Sequence, residues 1–286
     1  MSEGELFELE MLGGATERRF RKMRPEIEAM PWGTLSLEGA KEADLIVARA
    51  AWTSAAYQEH RTGVACAMTL QALIEARAPL DLIALASRFP LDEMVHVELC
   101  ARMAMELGGG TEIVHDPKRM VLAPKASNTP LMQAAECAVR FFCVGEAISI
   151  PLLRATWHVA EHPLPKAVMG RIVQDEAAHG TFGFTFLDWA LPRFSQDDLA
   201  FLGKSADLAI EFLQGQWDHT AQNRRVQNHE GDVLGWMQTD DYLALAERSL
   251  ERLVIKPLEA RGIPIGSRRA DKYAAPAIHQ DPSSTA

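Results

Sequence analysis

The sequence predicts an all-α protein built on a four-helix bundle with one long crossover, plus extra C-terminal helices. Three observations carry that prediction. Apolar residues recur at three- and four-residue spacing through most of the 286 residues. Strand-like alternation is confined to "EIVH" (112–115). The four longest periodic segments fall into two hairpins, each closed by a short turn, with roughly twenty non-periodic residues between them.

Taken in order, the first helix is expected to start at an N-cap Ser36 and run to "APLD", where Pro79 stands just past its end. The second, "PLDLIALASRFPLDEMVHVELCARMAMELGGG", is perturbed by Pro90 and ended by Gly108–Gly110. The crossover "TEIVHDPKRMVLAPKASNTP" follows; a connection of that length inside a compact domain needs a reason. The third helix, 131–162, carries Pro151 and should kink there. A short "HPLP" turn leads into the fourth, which ends near Pro192. Beyond it come "SQDDLAFLGKSADLAIEFLQGQWDHT", a polar break near 223–235 and a last helix, "DDYLALAERSLERLVIKPLEA". The division is therefore an N-terminal extension (1–35), the bundle (36–192), C-terminal helices packed on it (193–261) and an irregular tail (262–286).

Composition narrows the function classes. The formal net charge is −10, and the one basic run, "RRFRKMR" (18–24), reads as a solvated turn of helix, so a nucleic-acid partner is not expected. No apolar stretch reaches membrane-spanning length before a charge interrupts it, and the acidic start "MSEGELFELEML" lacks the pattern of a signal peptide. Cys66, Cys100, Cys137 and Cys143 form no C-x-x-C pair and sit in apolar helical contexts, which suits reduced, buried thiols in the cytoplasm.

The chemistry lies in a repeat. "DEMVH" (92–96) and "DEAAH" (175–179) place Glu93 with His96, and Glu176 with His179, at a spacing of three, on one side of a helix. Ionisable groups on a core-facing stripe are costly unless something pairs with them. Each hairpin also carries an earlier glutamate: Glu59 lies 34 residues before Glu93, and Glu146 lies 30 before Glu176. Antiparallel packing would bring the early and late carboxylates to one level. His60 is the local competitor to Glu59, while Glu75 is too near the turn. Two hairpins face to face then offer four carboxylates and two imidazoles to one point, the donor set of a di-iron or di-manganese centre. Asp92 and Asp175 immediately precede the two glutamates and suit the role of accepting the far N–H of a ligating histidine, across the bundle. Glu112 and His115 also form a Glu-x-x-His, but alone in the crossover, and are read as chance.

Over roughly residues 45–190 these motifs resemble the ferritin-like di-iron carboxylate superfamily, whose soluble oxygenases and acyl desaturases carry the same D-E-x-x-H runs. The resemblance implies a ferritin-like bundle holding two iron ions (Mn/Fe or di-Mn as variants). It also implies an O2-dependent oxidoreductase that hydroxylates, desaturates or N-oxygenates a small, largely apolar molecule. Electrons would come from a separate reductase or ferredoxin, and the C-terminal helices would cap a substrate cavity or form a homodimer. The competing class is a ferroxidase or iron-storage protein. A tyrosine-radical subunit is disfavoured because Tyr57, two positions from Glu59, faces away from the site. The extra histidine of the arylamine N-oxygenases is replaced here by Ile172. Thr62, Gly63, Cys66, Phe142, Ser149, Gly180 and Gly183 share the inner faces and are candidates to line a cavity or to pack the core, the glycines marking either an opening beside the metals or close helix–helix packing.

Overall fold

A computed structural model describes residues 5–115, 120–222, 234 and 236–266. Four long helical stretches build the interior: α3 (Glu42–Glu75), α4 (Leu80–Glu106), a third composed of α5 (Pro130–Cys137) and α6 (Ala147–Val159), and α7 (Pro163–Ala190). Helix α4 folds back along α3, α6 along α7, and α4 meets α7. Among the described residues the protein is all-α apart from a two-residue ladder pairing Glu5–Leu6 with Val114–His115. Among the described residues no helix is long and apolar enough to cross a membrane.

The turns follow from local chemistry. Helix α3 ends with Arg77 at φ 51°, a left-handed residue more often glycine, and Ala78 N–H closes onto the Leu73 carbonyl. Pro79 then takes extended backbone and α4 begins. At the other end of α4, Gly108 at φ 100° lets Gly109 N–H reach the Ala104 carbonyl, so the glycine run stops the helix as expected. Thr129 Oγ1 caps α5 by accepting from Met132 N–H, and Nδ1 of His162 accepts from Leu164 N–H at the start of α7.

Several expectations change. Helix α3 starts five residues later than expected, with its N-cap at Lys41, because Ser36 Oγ instead accepts from Glu38 N–H in a local turn. Pro90 sits within an unbroken α4. The third helix is not simply kinked at Pro151. Between α5 and α6, residues Ala138–Glu146 widen into a π-helical run that ends on Glu146. The basic run 18–24 is solvated in part: Arg18, Arg19 and Lys22 on α1 (Gly14–Lys22) are exposed, whereas Arg21 and the buried Arg24, just before α2 (Pro25–Glu28), pair with Glu98 on α4. The start of the expected tail is packed, with Ile263 and Ile265 buried, and Gly203 on α8 (Gln196–Gln222) leaves room for the Pro264 carbonyl. Most of the expected break at 223–235, and residues 267–286, lie outside the described residues.

Two apolar clusters fill the interior. One gathers Cys66, Phe89, Phe142 and Phe182 with the inner faces of α8 and α9 (Thr239–Ser249). The other gathers Ala56, Val95, Leu99, Cys100 and Ile172 with residues of the N-terminal segment. Glu59, Glu93, Glu176 and His179 fall between the two clusters in sequence on their helices, and His96 and Glu146 join them in space, forming a polar layer.

Candidate metal centre

All six residues of the expected ligand set converge. Ligand atoms of Glu59, Glu93, His96 and Glu176 lie within 4.8 Å of one another, and so do those of Glu93, Glu146, Glu176 and His179. Glu93 and Glu176 belong to both groups, so the pattern is two adjoining donor groups that share two carboxylates and could hold a cation. Glu93, His96 and His179 have no exposed surface, Glu176 and Glu146 are buried, and Glu59 is half-buried. The first-helix ambiguity resolves: His60 packs its ring against Phe7 and His115, while Glu59 reaches to 3.7 Å from His96 Nδ1.

The imidazoles turn Nδ1 inward. His96 Nδ1 lies 3.2 Å from Glu176 Oε1 and 3.8 Å from Glu93 Oε2. His179 Nδ1 lies 3.0 Å from Glu93 Oε1 and 3.1 Å from Glu176 Oε2. Each Nε2 faces outward to an aspartate of the opposite motif: His96 hydrogen-bonds Asp175 at 3.3 Å, and His179 makes a longer contact with Asp92 at 3.5 Å, in which neither His179 Nε2 nor Asp92 Oδ2 has a hydrogen-bond partner. The cross-bundle pairing expected of Asp92 and Asp175 is thus the arrangement found. An aspartate at Nε2 favours the tautomer that leaves the Nδ1 lone pair free for a cation.

Both carboxylate oxygens of Glu93, Glu176 Oε2 and both Nδ1 atoms are buried without a hydrogen-bond partner. Burying charges unpaired costs several kcal/mol each, so this layer calls for compensation. In the protein alone, protons provide it. Burial pushes Glu59 up to about 8, with Glu93 and Glu176 adding repulsion. Burial, then Glu176 and Glu93, raises Glu146 as well. Burial opposes protonation of His96 and His179, but surrounding carboxylates win. Asp175 and Glu176 lead in raising His96, and Asp92 and Glu176 lead in pushing His179 up to about 12. Glu176 resists its own burial and is held well below the usual carboxylate range by His179 and His96. Four oxygen donors and two imidazole nitrogens with no thiolate among them suit a hard or borderline divalent cation such as iron or manganese.

No family model, curated protein or solved structure matches the chain. The reading of the site therefore rests on its own residues.

The surroundings differ from the expected open chamber. A Cβ on Gly63 would stand 2.5 Å from Met94 Cε, and one on Gly180 would overlap Ile150. On Gly183 it would stand 2.8 Å from both the Cys143 nitrogen and Phe142 Cβ. The three glycines therefore mark close helix packing, the second of the two readings open to them, and side chains fill the space an opening would need. Thr62 turns its hydroxyl back to the Gln58 carbonyl and is partly exposed. Ser149 does touch the centre, with its hydroxyl 3.0 Å from Glu146 Oε2. Phe142 packs on Phe89 and Phe182, and the Phe89 ring lies 4.2 Å from that of His179. Cys66 is a buried thiol whose ionisation is disfavoured by burial and then by Glu93, Glu146, Glu176 and Glu59.

Two residues packed around the site escaped the sequence reading. Arg88 donates to Asp92 and to Asp175, and Arg171 donates to Asp175 and to Glu26. The signal was present: "RFPLDEMVH" and "RIVQDEAAH" both set an arginine four residues before the aspartate, one helical turn away.

Proposed function

We propose that the chain is a di-metal oxidoreductase of the ferritin-like carboxylate type, using O2 to oxygenate or desaturate a small, largely apolar molecule. The observation that carries this reading is the shared pair Glu93 and Glu176 between two histidine-bearing donor groups. A single structural cation would need one set of ligands, whereas these six residues offer two overlapping groups of four donors each. When bound, two iron or manganese ions supply one-electron redox changes and a place for O2.

The residues have separable roles. Glu59 and Glu146 each serve one position, while Glu93 and Glu176 hold the two positions together. Asp92 and Asp175 hold the imidazoles with Nδ1 inward. Ser149 donates toward Glu146 and fixes one of its oxygens. Phe89, Phe142 and Phe182 form a fully buried aromatic cluster on the His179 side that excludes water from that imidazole. No flavin or iron–sulfur motif is evident in the sequence, so an external reductase or ferredoxin is the proposed electron donor.

The test is anaerobic reconstitution with Fe(II), followed by metal analysis, size-exclusion chromatography and exposure to O2 with a reductant. Two iron ions per chain, a small oligomer and O2 uptake that disappears in Glu93→Ala are expected. A many-subunit shell that accumulates iron would replace this reading with ferroxidase and storage. Less than one metal ion per chain would remove both.

A further inference from the structure

We propose that Arg88 is a positioning residue for both metal positions, one guanidinium orienting both ligating histidines, and that the His179 position depends on it alone. The inference rests on the di-metal reading above. Arg88 lies on α4 one turn before Asp92. Its Nε donates to Asp92 Oδ1 at 3.1 Å, and its Nη2 donates across to Asp175 Oδ1 on α7 at 2.9 Å. Those two aspartates face the outer nitrogens of His179 and His96 respectively. The fork geometry of a guanidinium is what allows one side chain to hold two carboxylates on two helices.

The support is unequal. Asp175 also receives Arg171 Nε at 2.8 Å, and Arg171 is itself fixed by Glu26 at 2.6 Å. Among the described residues Arg88 is the only Lys or Arg side chain paired with Asp92. Removing Arg88 leaves Asp92 free to rotate away from His179, while Asp175 keeps a guanidinium. Removing Arg171 leaves both aspartates still held. The Arg88 side chain is 54 % exposed, so its ion pairs are screened and contribute little to stability. What it supplies is orientation of two carboxylates that are themselves buried. Loss of such outer partners typically lowers metal affinity by about 10–100-fold.

The experiment titrates Co2+ anaerobically into the full chain against a competing chelator, following cobalt absorption. It compares wild type with Arg88→Gln, Arg88→Lys, Arg171→Gln and the Arg88→Gln/Arg171→Gln pair. Arg88→Gln should weaken one of the two ions by about 10–100-fold, and the double variant should weaken both. Arg171→Gln should leave both within about ten-fold of wild type. Arg88→Lys keeps the charge but lacks the fork, and should behave as Arg88→Gln does. The same loss must persist in a Glu59→Ala background, where the His179 position alone remains. Wild-type affinities in Arg88→Gln, full rescue by lysine, or a larger effect from Arg171→Gln would overturn the proposal. Should the glutamine variant fail to fold, the lysine variant carries the test by the same criterion. A wild type that binds fewer than two ions defeats the di-metal reading instead, so the two failures are distinct.

Discussion

At the scale of single residues, the centre assigns unequal tasks to chemically identical glutamates. Glu93 and Glu176 stand in both donor groups, whereas Glu59 and Glu146 stand in one each. Glu93→Ala should therefore abolish binding of both ions, while Glu59→Ala should retain one, at the position of Glu93, Glu146, Glu176 and His179. Native mass spectrometry after metal loading reads this directly, and equal losses in the two variants would contradict the shared role. These residues were legible because metal chemistry restricts residue type and helix geometry restricts spacing. The arginines were not read because an exposed arginine on a helix is ordinarily a solvated charge. Only the structure shows Arg88 leaving its own helix to reach Asp175.

At the scale of elements, the helices and their turns were largely visible, because glycine, proline and apolar period act locally. The π-helical run Ala138–Glu146 was not. A widened turn changes the angular register by a fraction of a residue, and a run as apolar as "AVRFFCVGEA" hides that change. The run positions the site because it carries Phe142 and Cys143 against Gly183 and ends on Glu146, one of the six candidate donors. The glycines illustrate the same limit: sequence placed them on inner faces but could not tell a gap from a contact. Gly183→Ala meets backbone and Cβ atoms that cannot move, and should destabilise the protein by roughly 1–3 kcal/mol. Gly63→Ala meets the mobile end of Met94. There the gain in helix propensity, about 1 kcal/mol, offsets the displacement, and the change should be near neutral. Urea unfolding of the two variants measures the contrast; a Gly183→Ala protein as stable as wild type would refute the packing argument.

At the scale of the whole molecule, a buried polar layer lies between two apolar clusters, so the protonation of that layer governs how firmly the interior holds together. In the metal-free protein, Glu59 titrates near 8 instead of its ordinary 4.5, and His179 near 12 instead of 6.5. His96 and Glu146 shift upward too. Each of these groups binds its proton more tightly folded than unfolded. Its contribution to stability is full below the unfolded value and is lost as pH climbs toward the folded one. Glu176 runs the other way, and its contribution falls away only in acid, below about 4.5. The metal-free chain should thus lose stability steadily from pH 6.5 to pH 9. Divalent cations replace these protons and favour the deprotonated donors, so metal binding strengthens over the same interval. A ligand that binds only the folded state raises its melting temperature in proportion to the logarithm of its saturation. The gap in melting temperature between Mn2+-loaded and metal-free protein should therefore widen with pH across that window. A gap that stayed constant would mean that protons and metal ions do not compete for the same six side chains.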